Sequence, residues 1–279
     1  MVTPSIALDR WSQSATLIKV RDGLRVRSRA IASYLDIRME QLITIWVVVM
    51  ALAGAAKVVT APLAARSPGE AALFFMPYLL VAFSPILGYR VAAGSFPRGL
   101  LSAQPAFRFA MFGRWQPLDA VAARRHTDFG PSGFMVSLLV GILLNVPVRT
   151  AEFLAAVPAV GTTAPGWAQV LLHMMAFDLI VMNFFYMVCF VLALRSVPLF
   201  PRMMLFAWGA DLAMQFAIAQ QVAAAPGLPA EVAGALQMLL GGNIKKVLIS
   251  VAVWLPYLLL SERVNVTFRS RCRALPSQA

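Results

Sequence analysis

The sequence predicts an all-α polytopic membrane protein, a helix bundle of about six spanning helices with both termini in the cytoplasm. Hydrophobic residues make up 60% of the 279 positions and charged residues only 13%, whereas soluble domains carry about 25% charged residues. Mean hydropathy is +0.75. Several apolar stretches reach the ~20 residues that a helix needs to cross the hydrocarbon core of a bilayer. These observations indicate an integral membrane protein.

Residues 1–40 are predicted to form a basic amphipathic segment on the membrane surface. Seven Lys or Arg and four Asp or Glu alternate there with apolar residues, as in helices that lie in the headgroup layer. A solvated tail is the alternative interpretation. Membrane contact is favoured by the apolar residues Ile18, Val20, Leu24 and Val26.

A two-helix membrane unit is predicted over residues 41–95, and a basic cytoplasmic loop over residues 96–131. The first helix should extend from Leu42 to Leu63 and the second from Ala71 to Tyr89. A turn at Pro68-Gly69 separates them. Six arginines lie between Arg90 and Pro131, and this density of charge is typical of a loop outside the bilayer.

A four-helix membrane unit is predicted over residues 132–273. Its first helix should continue through Pro147, because the apolar part that ends at Val146 is only about 20 Å long. The stretch from Glu231 to Leu240 is too short to cross a bilayer alone, so it is predicted to be a separate interfacial or re-entrant piece. The predicted spans are Gly133 to Ala156, Trp167 to Leu194, Met203 to Val222 and Ile244 to Leu260.

The distribution of cations predicts the orientation. Of the 24 Lys and Arg, 19 lie in the first 40 residues, in the loop after the second span, in the turn from Arg195 to Arg202, and in the tail after Leu260. Cations concentrate on the cytoplasmic side of membrane proteins. Six spans place all four segments on that side. Abundant arginine and alanine indicate a GC-rich bacterial genome, so the expected location is the inner membrane.

The second half of the chain resembles a known family. The matching motifs are Trp254-x-Pro256-Tyr257, Ser261-x-Arg263-Val264, Thr267-Phe268 and, before the fifth span, Phe200-Pro201. On these motifs, the stretch from Gly130 to Cys272 resembles the bacterial membrane protein family catalogued as domain of unknown function 2569. The resemblance implies a four-helix membrane unit, to which this chain adds a long amino-terminal half. It implies no activity.

Two carboxylates are predicted at mid-membrane depth on neighbouring antiparallel helices. Asp178 lies about ten residues into the fourth predicted span and Asp211 about eight residues into the fifth. Gln215 follows Asp211 by one turn and shares its helix face. An ionised Asp at a helix centre costs ~2.5–3.5 kcal/mol on insertion scales, so both side chains should face each other or the bundle interior.

This polar site allows two interpretations. It could be a proton or cation relay or a polar substrate site. It could instead be a hydrogen-bonded contact between helices, with one carboxyl group protonated. The second interpretation is favoured, because the sequence shows no internal repeat and no visible conduit.

His173 and Lys57 are the remaining members of the candidate polar site. Lys57 lies several residues inside the first span, and His173 lies near the outer end of the fourth. Arg149 and Glu152 are three positions apart on one helix and are predicted to pair. These groups are interpreted either as an outward-facing anionic site or, preferably, as helix ends with snorkelling cations. Other polar residues near the same predicted ends are Asn145, Asn243, Lys245 and Lys246.

The expected partners are a bilayer with anionic lipids and another membrane protein. Candidate contacts to lipid or partner are Arg124, Arg125, Arg263 and Arg269. Juxtamembrane cations of this kind are attracted to anionic headgroups. Nucleic acid is not an expected partner, because the cations flank apolar segments and form no stripe with interleaved aromatic residues.

No motif for catalysis or cofactor binding is present, so an enzyme is not favoured. The sequence lacks GxSxG, P-loop, GxGxxG and HExxH patterns, and its two cysteines, Cys189 and Cys272, have no metal-ligand spacing. Neither a cofactor nor a metal is expected. The favoured hypothesis is a non-catalytic membrane scaffold or accessory subunit. The alternative is a small-solute or proton-coupled transporter that uses the mid-membrane carboxylates. An enzyme that acts on lipid through the basic loop comes third.

Overall fold

The computed structural model describes residues 4–60, 67–100, 102–105, 113–160 and 164–274, and their side chains from residue 23 on, apart from that of residue 68. Helices dominate this part of the chain, so the all-α polytopic fold class is confirmed. Two short strands, β1 Trp115–Pro117 and β2 Arg271–Arg273, pair in antiparallel. The helices are α1 Pro4–Val59, α2 Pro68–Ser95, α3 Ala120–Arg125, α4 Phe134–Ala156, α5 Gly166–Leu194, α6 Phe200–Ala223, α7 Ala230–Leu260 and α8 Glu262–Arg269.

Five of the described helices are long and apolar enough to cross a membrane: α1, α2, α4, α5 and α7. Helix α6 is 24 residues long but falls outside this group, because its sequence includes several polar side chains. It nevertheless runs the length of the bundle between α5 and α7. Its polar residues Asp211 and Gln215 are both 0% exposed. The helix therefore turns its polar face to protein rather than to lipid.

The long helices alternate in direction between two ends of the bundle. At one end, here named the Lys57 end, Lys57 Nζ donates to the carbonyl of Val157 at 3.1 Å. At the opposite end, named the α8 end, the rings of Phe200 and Phe268 pack with centroids 5.1 Å apart. Both residues belong to the motifs of the family resemblance, and the fold brings them together although they are 68 positions apart in the sequence. Because α6 also connects the two ends, six of the described helices traverse the bundle.

Helix α1 is continuous across the boundary that the sequence predicts near residue 40. Its 56 residues correspond to about 84 Å of helix, far more than one bilayer crossing. It packs on the bundle through one narrow stripe of side chains, which recurs every three or four residues as a single helix face requires. The buried members of this stripe are Ser28, Ala32, Met39, Met50 and Gly54.

Helix α7 corrects the prediction of a separate piece from Glu231 to Leu240. The helix runs unbroken from Ala230 to Leu260 through Gly241-Gly242. Each glycine lowers helix propensity by about 1 kcal/mol. A break in hydrocarbon would instead leave several backbone groups without hydrogen bonds, each at a cost of several kcal/mol. Continuity is therefore favoured. Helix α4 likewise continues through Pro147, as predicted.

Small side chains allow α2 and α5 to approach closely. Ser84 Oγ donates to the carbonyl of Ile180. One turn later, a Cβ at Gly88 would lie 2.5 Å from the carbonyl oxygen of Phe184. Small residues one turn apart are a recurrent basis of helix packing in membranes. This contact sets α5 in the middle of the bundle and so fixes the position of Asp178.

Candidate functional site

Three charged side chains from three helices meet in the bundle interior. Arg149 of α4 donates to Asp211 Oδ2 of α6 at 2.5 Å and to Asp178 Oδ2 of α5 at 2.8 Å. The side chains are 13%, 0% and 6% exposed, respectively. Arg149, Asp178 and Asp211 are named the ionic cluster. The predicted orientation of both aspartates toward the interior is confirmed.

Neutral polar groups surround the ionic cluster. Tyr186 Oη donates to Asp211 Oδ2 at 2.7 Å. Gln215 lies one turn after Asp211, and its amide nitrogen is 3.4 Å from a carboxylate oxygen of each aspartate. Asn243 of α7 donates to Gln215 Oε1 at 3.3 Å. The polar network therefore joins α4, α5, α6 and α7.

The cluster lies between two apolar halves of the core. Toward the α8 end, the core includes Val146, Met182 and Trp208. Toward the Lys57 end, it includes Phe153 and Ile218. Asp178 and Asp211 are almost completely buried between these layers, so their charges interact more strongly than charges at a surface. Removing each charge from water is also costly, and attraction to an opposite charge offsets this cost. This explains why every charged member of the cluster has a charged partner.

The sequence interpretation assigned Arg149 to the outer helix ends and missed its contact with the two aspartates. Its predicted pairing with Glu152 is wrong: Arg149 binds the two aspartates, and Glu152 pairs with Lys246 of α7. The interpretation as a snorkelling cation at a helix end also fails for Arg149. Helix α4 extends seven residues beyond it to Ala156. One signal in the sequence could have indicated this contact. Two carboxylates at mid-membrane depth require a cation at a similar depth.

The ionic cluster is not electrically balanced. One guanidinium faces two carboxylates, so the fully ionised cluster carries one net negative charge. Asp211 receives hydrogen bonds on both oxygens. Asp178 receives them on Oδ2 alone, and its buried Oδ1 has no partner within the described residues. A buried carboxylate oxygen without a donor is unfavourable, so the arrangement can accept a proton or a positively charged group.

A cleft of about 170 Å³ between α4 and α7 reaches the cluster from one side. Tyr186 and Asp211 line it, together with Asn145 and Ser250, whose side chains make no hydrogen bond within the described part of the chain. Polar groups at this depth need water or a ligand as a partner. Trp254 also lines the cleft, while Glu152 and Lys246 line its part nearest the Lys57 end.

A second, much smaller cavity adjoins Asp178. Its volume is about 20 Å³, and its polar lining consists of Arg149, Glu152, Asp178 and Asn243. A cavity needs about 10–15 Å³ to hold one water molecule and two to four polar groups to bind it. This cavity meets both conditions.

His173 and Lys57 lie apart from the ionic cluster. His173 is exposed, and its Nδ1 lies 2.7 Å from the carbonyl of Gln169 in the preceding turn. It lines an apolar groove of about 560 Å³ between α2 and α5. Lys57 is engaged by the Val157 carbonyl at the end of α4. Of the predicted polar site, the structure thus brings together only Asp178, Asp211 and Gln215.

The basic residues predicted to contact lipid or a partner divide into two groups. Arg125 is exposed, and the exposed Arg124 donates to the carbonyls of Gly99 and Leu100 at 2.9 and 2.6 Å. Arg269 is instead 6% exposed and donates to the Leu258 carbonyl at 2.8 Å. Burial, together with the charge of Arg271, lowers the pKa of Arg269 to about 10. Arg269 is an internal contact, unlike Arg124 and Arg125.

Arg263 is also an internal contact, with a partner that differs from the predicted one. Its guanidinium binds Asp128 Oδ1 at 2.7 Å and Ser132 Oγ at 2.5 Å, in the loop before α4. Burial lowers the pKa of Arg263, and the charge of Asp128 counters this. Asp128 also binds Arg25 of α1 at 3.0 Å. One carboxylate therefore joins the first helix to the tail.

The described residues contain no group of three His, Cys, Asp or Glu side chains placed to hold a metal ion. Comparisons with protein-family models, curated proteins and solved structures find no match to the chain. The resemblance of residues 130–272 to the family of unknown function therefore stays a prediction.

Proposed function

We propose that the protein is a non-catalytic scaffold or accessory subunit of the inner membrane that packs against another membrane protein. The charged groups at mid-membrane depth support this role, because Arg149 engages both aspartates inside the bundle. These ion pairs hold three helices together, and the hydrogen bond from Asn243 to Gln215 adds α7. We therefore expect the partner protein to bind the outer surface of the bundle.

The long helix α1 carries this proposal. Ion pairs of Asp36 with Arg98 and of Glu40 with Arg90 form a charged belt at the α8 end. The ~20 residues from this belt to the end of α1 are enough to cross the bilayer. Apolar side chains continue on the other side of the belt and remain exposed: Leu24 57%, Val26 69%, Ile31 45% and Tyr34 59%.

Exposed apolar side chains beyond the spanning part of a helix favour an additional contact. Another membrane protein is the proposed occupant, and headgroups of anionic lipid are the alternative. The exposed cations Arg124 and Arg125 lie in the loop at the same end and would contact the same leaflet. The α8 end is proposed to face the cytoplasm, because most cations of the chain are at this end or in segments that lead to it.

Site-specific photocrosslinking in native membranes tests the proposal. A photoreactive phenylalanine analogue at Val26 or Ile31 should give one discrete protein adduct, whose mass identifies the partner. The same residue at Ala32, which is 6% exposed, serves as the control and should give no intermolecular adduct. Adducts with lipid alone would contradict the scaffold role and would favour a membrane-surface segment.

The cleft between α4 and α7 favours a second candidate function, a small-solute or proton-coupled transporter. Asn145 and Ser250 offer hydrogen bonds in this cleft beside the ionic cluster. Purified protein reconstituted in vesicles distinguishes the two functions, because a transporter works without a partner and a scaffold does not. Proton flux that requires Asp178 and Asp211 would support transport. Absence of proton flux in folded protein would exclude the transporter and leave the scaffold as the remaining proposal.

A further inference from the structure

The small cavity beside Asp178 and the uneven hydrogen bonding of the two aspartates have a common explanation. We propose that Asp178 is a proton-binding site in the membrane interior, and that one water molecule in the adjoining cavity connects it to Glu152 at the Lys57 end. The inference holds for either proposed function, since a single bound proton can stabilise a scaffold or couple transport.

Charge balance is the first argument. The ionic cluster with both carboxylates ionised has one net negative charge between two apolar layers of the core. An uncompensated charge in such surroundings is strongly unfavourable. One bound proton makes the cluster neutral, with Arg149 facing one carboxylate and one carboxylic acid.

Hydrogen bonding decides which aspartate binds the proton. Asp211 accepts from Arg149, Tyr186 and Gln215, and its two oxygens share these bonds. Asp178 accepts from Arg149 and Gln215 at Oδ2 only, and its buried Oδ1 has no protein partner in the described part of the chain. Hydrogen bonds from donors stabilise the ionised form of a carboxyl group. The proton therefore belongs on Asp178 Oδ1.

The cavity supplies the acceptor that this acid needs. Its volume of about 20 Å³ and its polar lining of Asp178, Arg149, Asn243 and Glu152 suit a single water molecule. The water accepts the proton of Asp178 and gives one of its own protons to the carboxylate of Glu152. The water is regenerated, and one proton has moved outward without any change of oxidation state.

Glu152 connects this site to solvent. Its side chain is 39% exposed and pairs with Lys246, which is 58% exposed. The charged and titratable groups around Asp178 are Arg149 and Glu152 of α4 and Asp211 of α6. Two further groups are linked to it indirectly. Lys246 of α7 pairs with Glu152, and Tyr186 of α5 donates to Asp211. Among the groups that line the small cavity, Glu152 alone is both titratable and accessible.

Infrared spectroscopy of the purified full-length protein in lipid nanodiscs tests the proton directly. At neutral pH the wild-type protein should show the carbonyl stretch of a protonated carboxylic acid. Asp178→Glu should shift this band, while Asp211→Glu should leave its position unchanged. Absence of the band in the wild type, or a shift in Asp211→Glu alone, would overturn the assignment.

The route is tested by the rate at which the same band shifts after transfer to D₂O. Glu152→Gln should slow this exchange, because an amide cannot relay a proton. Glu231→Gln, an exposed position in the first turn of α7, is the matched control and should exchange at the wild-type rate. Equal rates in all three proteins would show that the proton does not pass through Glu152.

Discussion

At the scale of single residues, Arg149 has the greatest influence on the bundle interior. Its guanidinium contacts two carboxylates through separate nitrogens, the fork geometry that lysine cannot reproduce. Removal of one partner of a buried ion pair leaves an uncompensated charge and is strongly destabilising. Neutralisation of all partners together is far less costly. Comparing these two kinds of variant therefore separates the electrostatic contribution to stability from the contribution of side-chain packing.

We predict that Arg149→Met destabilises the protein by about 3–5 kcal/mol, because the buried carboxylate of Asp211 loses its cation and Asp178 loses a hydrogen-bond donor. The triple variant Arg149→Met, Asp178→Asn, Asp211→Asn should recover most of this loss. With Cys272, which is partly exposed, replaced by Ser, stability in detergent can be followed by a thiol-reactive fluorophore, since Cys189 is 0% exposed in the folded state and reacts on unfolding. Wild-type stability of the single variant would refute the electrostatic account.

A second prediction at this scale concerns the loop before α4. Arg263→Ala should lower the thermal stability more than Arg25→Ala, although both remove a cation from Asp128. Arg263 is 11% exposed and also binds Ser132, whereas Arg25 is 27% exposed and makes one bond to the loop carboxylate. Partly exposed pairs contribute about 0–1 kcal/mol. Equal unfolding temperatures of the two variants would contradict this ranking.

At the scale of helices, the contact between α2 and α5 depends on the absence of a side chain. Gly88 lies where the backbones approach, and any Cβ there meets the carbonyl of Phe184. Gly94, on the same helix, is exposed and has open space at its Cβ position. The two glycines therefore separate the effect of packing from that of helix propensity.

We expect Gly88→Ala to destabilise the protein by about 1–3 kcal/mol, the usual cost of overpacking. Gly94→Ala should be neutral or slightly stabilising, because alanine is favoured over glycine in helices by about 1 kcal/mol. The thiol-reactivity assay applies to both variants. If Gly88→Ala is as stable as Gly94→Ala, the helices are not in the close contact described.

At the scale of the whole molecule, the bundle makes a prediction about membrane topology. Val121 lies at the α8 end and Glu231 at the Lys57 end, and both are exposed. In a variant with Ser at positions 189 and 272, a membrane-impermeant thiol reagent should label Glu231→Cys in intact cells. It should label Val121→Cys only after permeabilisation. Labelling of Val121→Cys in intact cells would reverse the proposed orientation.

The sequence by itself determined the approximate extent of α2, α4, α5 and α6, but not the continuity of α1 or α7. Apolar length is a local property, so the spans around Ala71, Trp167 and Met203 could be predicted to within a few residues. The depth of Asp178 and Asp211 followed from counting residues along the helices, and their burial followed from the cost of a carboxylate in lipid. None of this required knowledge of which helices are neighbours.

Only the tertiary structure decided which charges meet. Arg149 could have paired with Glu152 on its own helix, since three residues of separation permit it. The packing of α4 against α5 and α6 instead offers two buried carboxylates, where the lower local dielectric makes the attraction stronger. The continuity of α7 and the bond from Arg263 to Asp128 were decided in the same way. Such contacts depend on the relative placement of helix faces, which local sequence does not encode.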